Sequence, residues 1–514
     1  MLRFIVGATI ALLSSTAAQA DWYRASSKHF VVYSDDSERD VRDYTTQLEQ
    51  FDQAIRRWHV APENPRGESA RVTVFVLPDQ AAVGKLAGRS SVAGFYRPSA
   101  GESVAFAPRA GTDGSGDLGA RAVLFHEYAH HWMLTNWTDA ALPPWFVEGF
   151  AELHATAMFR GNKIIFGAVP LYRRYSIGQM NAMPMDRLLK FDVGKLDPIE
   201  TDALYSHGWA LTHYLTFDPV GRKQLAAYIG ALNSGKAGNP AKLIGDGRTM
   251  DMQLSQYVRR KQLPSAAFDV DTLAIGMIDV RKLSAAEAAT VPAMILSKRG
   301  VNAGSASKAL DLARRVAAPY PADAFAQNEL AEAEFDACNV EKKADAGCFT
   351  RAEAAADRAI AADPKSVHAL TYKGMAQVGA LEKAKVTDAA RWKAARQWFL
   401  TANKVDTEAP QPLIAYYDSF VDAGEPATKN AQAGLLYAYA LAPYDSDLRI
   451  KATRVYLMQG NVAAARVAIS PIAYNIESRT RADYAKKTLA MIDTGDAKAA
   501  LASMDEKPPA ESDD

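Results

Sequence analysis

The chain has 514 residues, too many for one core of ordinary size, and 48% of them are apolar, enough for two or three. Lys plus Arg balance Asp plus Glu at 59 each, so no net field draws the protein to nucleic acid or to an anionic membrane surface. Charge disfavours both classes of partner.

The segment 1–20, MLRFIVGATIALLSSTAAQA, sets Arg3 before an apolar run from Phe4 to Leu13, with small residues Ala18 and Ala20 around Gln19. That is the pattern of a secretory signal peptide, cut after Ala20. The run falls short of the about 20 apolar residues that span a bilayer, and no later stretch is long and apolar enough. The expectation is a periplasmic or secreted protein with no membrane insertion after signal cleavage.

Strand-like stretches rich in β-branched and aromatic residues follow at His29 to Ser34 and Arg71 to Leu77. Between them, Val41, Tyr44, Leu48, Phe51 and Ile55 recur at spacings of three and four, which predicts a helix from Ser37, its cap, to Trp58. Shorter strands are expected at Ala93 to Arg97 and Ser103 to Ala107, closed by Pro108. The Gly-rich stretch Arg109 to Gly119 reads as a mobile loop, with Asp117 as the cap of the next helix. Helices are expected over Ala120 to Thr135, Pro144 to Phe159 and Thr201 to Leu215, with more to Leu263. Phe268 to Val280 reads as either a last strand or an irregular connection.

Beyond Leu283 the composition turns to Ala-rich helices separated by turn signals such as Asp363-Pro364, Pro410 and Pro443. The stretch Glu353 to Gly374 resembles a tetratricopeptide repeat, with a small-residue helix, a Pro-led turn and a second helix. The pair Cys338 and Cys348 reads as a disulfide stapling a loop, since a zinc site would need two further ligands nearby. The acidic, Pro-containing end, 501–514, is expected to be disordered.

Residues His126 to His130 spell HEYAH. Two histidines four apart return to nearly the same helix face, where one ion can take both imidazoles. Glu127, one step round, can take a proton from a zinc-bound water whose pKa the metal has lowered to about 7. A catalytic zinc needs a third protein ligand. A histidine six residues after His130 is ruled out, because Asn136 stands there. The segment Leu142 to Leu153, LPPWFVEGFAEL, offers Glu148 one turn inside a helix entered through Pro143 and Pro144.

Together, HEYAHHW and LPPWFVEGFAEL resemble the two zinc-binding helices of gluzincin peptidases, including the aminopeptidase N family. The resemblance implies one Zn2+ ion held by His126, His130 and Glu148, with Glu127 catalytic and Glu152 an outer-shell carboxylate orienting a ligand histidine. The segment Leu204 to Leu215, LYSHGWALTHYL, is similar to that family's Y-x-K-G-x-x-L-L segment, which implies that Tyr205 stabilises the oxyanion; His207 replaces the lysine. His131, His154 and His213 read as packing or hydrogen-bonding residues. The family's amine-binding G-x-M-E-N segment is missing from Gly101 to Pro108, GESVAFAP, so aminopeptidase activity is not implied. A strand there would still pair with an extended peptide by edge addition.

The resulting expectation is an α+β protein: a signal peptide over 1–20, then a gluzincin-like metallopeptidase domain over 21–282 with a small mixed sheet plus helices. An all-α tetratricopeptide-like repeat domain over 283–500 and the tail follow. Its substrate is a peptide or protein, with a protein partner conceivable at the repeats. The rival expectation is a non-catalytic, zinc-containing scaffold that binds peptides through those repeats.

Overall fold

The computed structural model describes residues 21–63, 71–90, 92–109, 119–138, 142–179, 182–190, 194–233, 241–340, 347–475, 478–506 and 508–509. The expected signal peptide, Asp117 and most of the Gly-rich loop lie outside them. The protein is mixed α+β, 64% helical, with a small mixed sheet.

The chain opens with strands β1 (Tyr23–Ser26) and β2 (Phe30–Ser34), then helix α1 (Glu38–His59), β3 (Val72–Leu77), α2 (Gln80–Ala87), β4 (Phe95–Arg97) and β5 (Ser103–Pro108). Two long helices follow, α3 (Ala120–Asn136) and α4 (Pro144–Ala155), then β6 (Met158–Arg160) and β7 (Lys163–Phe166). Next come the single turns α5 (Arg174–Ile177) and α6 (Met185–Leu188), and helices α7 (Pro198–Phe217), α8 (Pro219–Asn233), α9 (Ala241–Ile244) and α10 (Gly247–Val258). Strands β8 (Ala266–Asp269) and β9 (Asp279–Lys282) complete this half, so Phe268 to Val280 holds the end of one strand and the start of another.

Six strands form one sheet in the order β4-β5-β3-β2-β1-β9. The β2/β3 and β3/β5 pairs are parallel and the others antiparallel. Because strand side chains alternate between faces, Phe30, Val32, Val72, Val74, Ala105 and Ala107 enter a core with α1, α3 and α4. Val31, Tyr33, Phe75, Val104 and Phe106 enter another, closed by Val291, Met294 and Ile295 of α11 (Ala285–Lys298). Both faces are therefore covered by helices. Strands β6, β7 and β8 form a second, antiparallel sheet.

From α11 onward the described residues form helices alone: α12 (Ala306–Ala317), α13 (Ala324–Val340), α14 (Cys348–Ala362), α15 (Val367–Lys383), α16 (Ala389–Val405), α17 (Pro410–Asp422), α18 (Lys429–Leu441), α19 (Ser446–Met458), α20 (Val462–Ala473), α21 (Arg479–Asp493) and α22 (Ala497–Ser503). Each packs on its sequence neighbours, and α11, α13, α15 and α17 also touch in succession as one layer. Cys338 and Cys348 are joined by a disulfide that ties α13 to α14.

Several sequence expectations change. Helix α3 starts one residue after Gly119, which caps it without a side-chain bond. Helix α4 stops at Ala155, and Met158 and Phe159 turn into β6, where Phe159 pairs with Ile164. Helix α22 reaches Ser503, so its last turn occupies ground expected to be disordered.

Two glycines set how α4 meets α7. A Cβ on Gly149 would overlap the carbonyl of Gly208, and a Cβ on Gly208 would stand 2.6 Å from Trp145 O. The helices touch backbone to backbone, which no larger residue permits. Gly149→Ala should destabilise the fold by about 2–3 kcal/mol, since neither backbone can yield cheaply; thermal unfolding checks this, and an unchanged Tm would show that the helices can separate.

The helical array meets the sheet across a buried charge cluster. Lys298 Nζ pairs with Glu332 Oε2 at 2.8 Å and Glu102 Oε2 at 3.0 Å. Burial raises the Glu329 carboxyl beside them from 4.5 to about 8, against the pull of Lys298. A carboxyl whose folded pKa is raised contributes stability below its unfolded pKa, near 4.5, and loses it as pH climbs through about 8. Glu329→Gln should therefore raise Tm relative to wild type more at pH 9 than at pH 5, as thermal scans at both values would show.

Candidate metal centre

Helix α3 points Leu124, Phe125, Tyr128 and Trp132 into the core. His126, Glu127 and His130 remain half-buried on its other side. Facing them, α4 is buried along almost its whole length and carries Glu148, only 2% exposed. Three donor atoms converge. His126 Nε2 and His130 Nε2 are 3.1 Å apart, and Glu148 Oε2 lies 3.4 Å from the first and 3.6 Å from the second.

Ligand atoms about 2.0–2.1 Å from a tetrahedral ion stand about 3.3 Å apart, so this triangle has the size such an ion requires. Glu148 Oε2 is buried and makes no hydrogen bond of normal geometry. A buried carboxylate oxygen in that condition is costly unless a cation faces it. Burial by itself would push the Glu148 carboxyl up, but the His130 and His126 imidazoles reverse this and hold it well below the usual carboxylate range. His126 is correspondingly raised: burial opposes its charge most strongly, and Glu148, Glu152 and Glu127 together outweigh it. These residues can hold a metal ion.

Two further groups have metal-like composition, His29/Glu49/Asp52 and Glu329/Glu332/His368. Each already has cationic or hydrogen-bonding partners. Asp52 accepts from Arg56 Nε at 2.7 Å and Tyr128 Oη at 2.7 Å, while Glu332 accepts from Lys298 Nζ at 2.8 Å. His130 and Glu148 of the trio on α3 and α4 line a large cleft.

That cleft, about 480 Å³, is lined by Glu127, His130 and Glu148, by β4, and by Tyr444, Ser446 and Tyr474 of the helical array. Burial raises the Glu127 carboxyl, against the pull of the two histidines. His131, on the other side of α3, shares a hydrogen bond of 2.6 Å with Tyr96 Oη of β4 and packs on Tyr444 at 4.8 Å between ring centroids. It is a bridging residue, not a ligand.

The expected edge strand is placed differently. β5 lies between β3 and β4, so the free edge beside the cleft belongs to β4, Phe95–Arg97. Glu152 also differs from expectation. Its Oε1 stands 3.9 Å from His126 Nδ1, beyond hydrogen-bonding reach. Its oxygens instead accept from Tyr172 Oη at 2.6 Å and from Arg173 at 3.0 and 3.2 Å, because a guanidinium satisfies a buried carboxylate better than an imidazole N–H.

Arg173 in turn lies 4.7 Å over the Tyr205 ring, which stands 6.0 Å from the His126 ring. Tyr205 thus adjoins His126, although it is not part of the cleft wall formed by Glu127, His130 and Glu148. His207 turns into the core, where its Nδ1 bonds Met183 O at 3.2 Å. His154 pairs with His59 at 3.1 Å, and His213 bonds Tyr257 Oη and Gly167 O. Arg173 and Tyr96 carried no signal in the sequence, since each works through residues distant along the chain.

A scan against protein-family models finds no match for this chain, and a search of curated protein sequences finds none either.

Purified protein should bind one divalent transition-metal ion per chain. His126→Ala, His130→Ala and Glu148→Gln should each reduce metal content below about a tenth, while Glu127→Gln leaves it unchanged; elemental analysis after dialysis measures this, and full retention by Glu148→Gln would exclude it as a ligand.

Proposed function

We propose that the protein is an exported, zinc-dependent peptidase of gluzincin type, with a tetratricopeptide-like array of helices forming the far wall of its cleft. The observation that carries this reading is the meeting, at one cleft, of a trio that can hold a metal with a separate carboxylate, Glu127, that is not one of its ligand atoms. A structural zinc site has its coordination filled by protein and needs no such neighbour.

Two imidazoles and a carboxylate suit zinc, which when bound would supply Lewis acidity toward a carbonyl oxygen and acidify a water near neutral pH. In this mechanism His126, His130 and Glu148 would hold the ion. Glu127 takes the proton of the attacking water and delivers it to the leaving amine. Tyr205, held beside His126 under Arg173, donates to the developing oxyanion. The open edge of β4 pairs with the substrate backbone, as strand addition requires.

The roof contributed by Tyr444 and Tyr474 favours a peptide or an unfolded segment over a folded protein as substrate. Among the described residues no helix is long and apolar enough to cross a membrane.

Against a broad peptide library, Glu127→Gln should lower kcat by about 1000-fold with metal content retained, and Tyr205→Phe by about 100-fold. Cleavage by neither wild type nor variant, with the metal present in both, would favour the non-catalytic scaffold.

A further inference from the structure

The same cleft has a charged feature that the proposed chemistry does not use. Arg97 on β4 and Arg299, just after α11, both line it and are half-buried. Each guanidinium is anchored by one backbone carbonyl: Arg97 Nη1 donates to Lys298 O at 3.0 Å, and Arg299 Nη1 to Leu86 O at 2.9 Å. Arg97 is seated so closely that a Cβ on Gly300 would stand 2.5 Å from its Nη1.

Among the described residues neither arginine makes an ion pair. Arg97 feels the field of Asp336, a carboxyl that burial pushes up from its ordinary value. The described wall holds no acid besides Glu127 and Glu148, which belong to the metal end. A guanidinium has five N–H donors in a planar fork that matches a carboxylate, and one carbonyl leaves most of them available. Two anchored guanidinium groups without an ion-pair partner among the described residues, in a half-buried cleft, are therefore built to receive an anion.

Building on the peptidase reading, we propose that the cleft selects peptides carrying a carboxylate near the scissile bond, held by Arg97 and Arg299. The carboxylate belongs either to an Asp or Glu side chain or to the chain's C-terminus. Arg97 lies on the edge strand itself, so a peptide paired with β4 would run past it.

The test measures kcat/KM for the mature, metal-loaded protein on matched fluorogenic peptides. One set carries internal Asp or Glu against Asn or Gln, and the other a free C-terminus against its amide. At least one carboxylate form should be cut about 10-fold faster than its neutral counterpart, mainly through KM. Arg97→Gln and Arg299→Gln should each remove most of that preference, and Arg97→Lys, which keeps the charge but loses the planar fork, should retain only part of it. Anisotropy binding of the favoured peptide to Glu127→Gln protein should show the same ranking and weaken with salt. The set that shows the preference identifies the source of the carboxylate. Equal cleavage of charged and neutral forms overturns this inference while leaving the peptidase intact. No cleavage of any peptide overturns the peptidase reading, and this inference falls with it.

Discussion

Glu148 is a carboxylate removed from water and set against two imidazole nitrogens, and much of the surrounding architecture serves to keep it there. Such a group is expensive to bury unless positive charge meets it. Helix α4 has almost no exposed residue, and Glu148 itself is 2% exposed on the wall of the cleft. What holds α4 is its contact with α3 on one side and, on the other, the glycine-to-glycine crossing with α7. Widening that crossing would carry the carboxylate away from the histidines.

The same crossing brings in Tyr205, which α7 carries next to His126. Glu152, one turn beyond Glu148, engages Arg173, and Arg173 covers the Tyr205 ring. A chain of charge and ring contacts thus links the second acid of α4 to the tyrosine of α7. The proposed oxyanion donor depends on that chain for its position, so Glu152 supports the site through Arg173 and not through the histidine.

The helical array takes part in the site as well. The Ala100 backbone N–H donates to Asp445 Oδ2 at 2.8 Å, and Tyr444 packs on His131. Residues more than three hundred positions beyond the HEYAH helix therefore wall its cleft. Helix α11 covers one face of the sheet and also begins the array, so no flexible linker separates the two parts. The cleft is thus lined from both parts, with Arg97 of the sheet and Arg299 at the start of the array among its residues.

Local pattern determined a good deal. The apolar spacing of α1 and its Ser37 cap, the β-branched runs of β2 and β3, and the four-residue interval between His126 and His130 all follow from short-range geometry, and the structure keeps them. Glu148 was singled out over Glu152, the other acid of α4, only through the resemblance of LPPWFVEGFAEL to a zinc-binding helix, and the structure sets it beside the two histidines. Short elements such as β1, β6 and β7 were not legible, since three or four residues carry no periodicity and gain their structure from a partner strand. Nor could sequence decide which strand is the edge, which acid meets which base, or that Tyr444 would roof the cleft. Those outcomes depend on distances between residues remote along the chain, and only packing sets them.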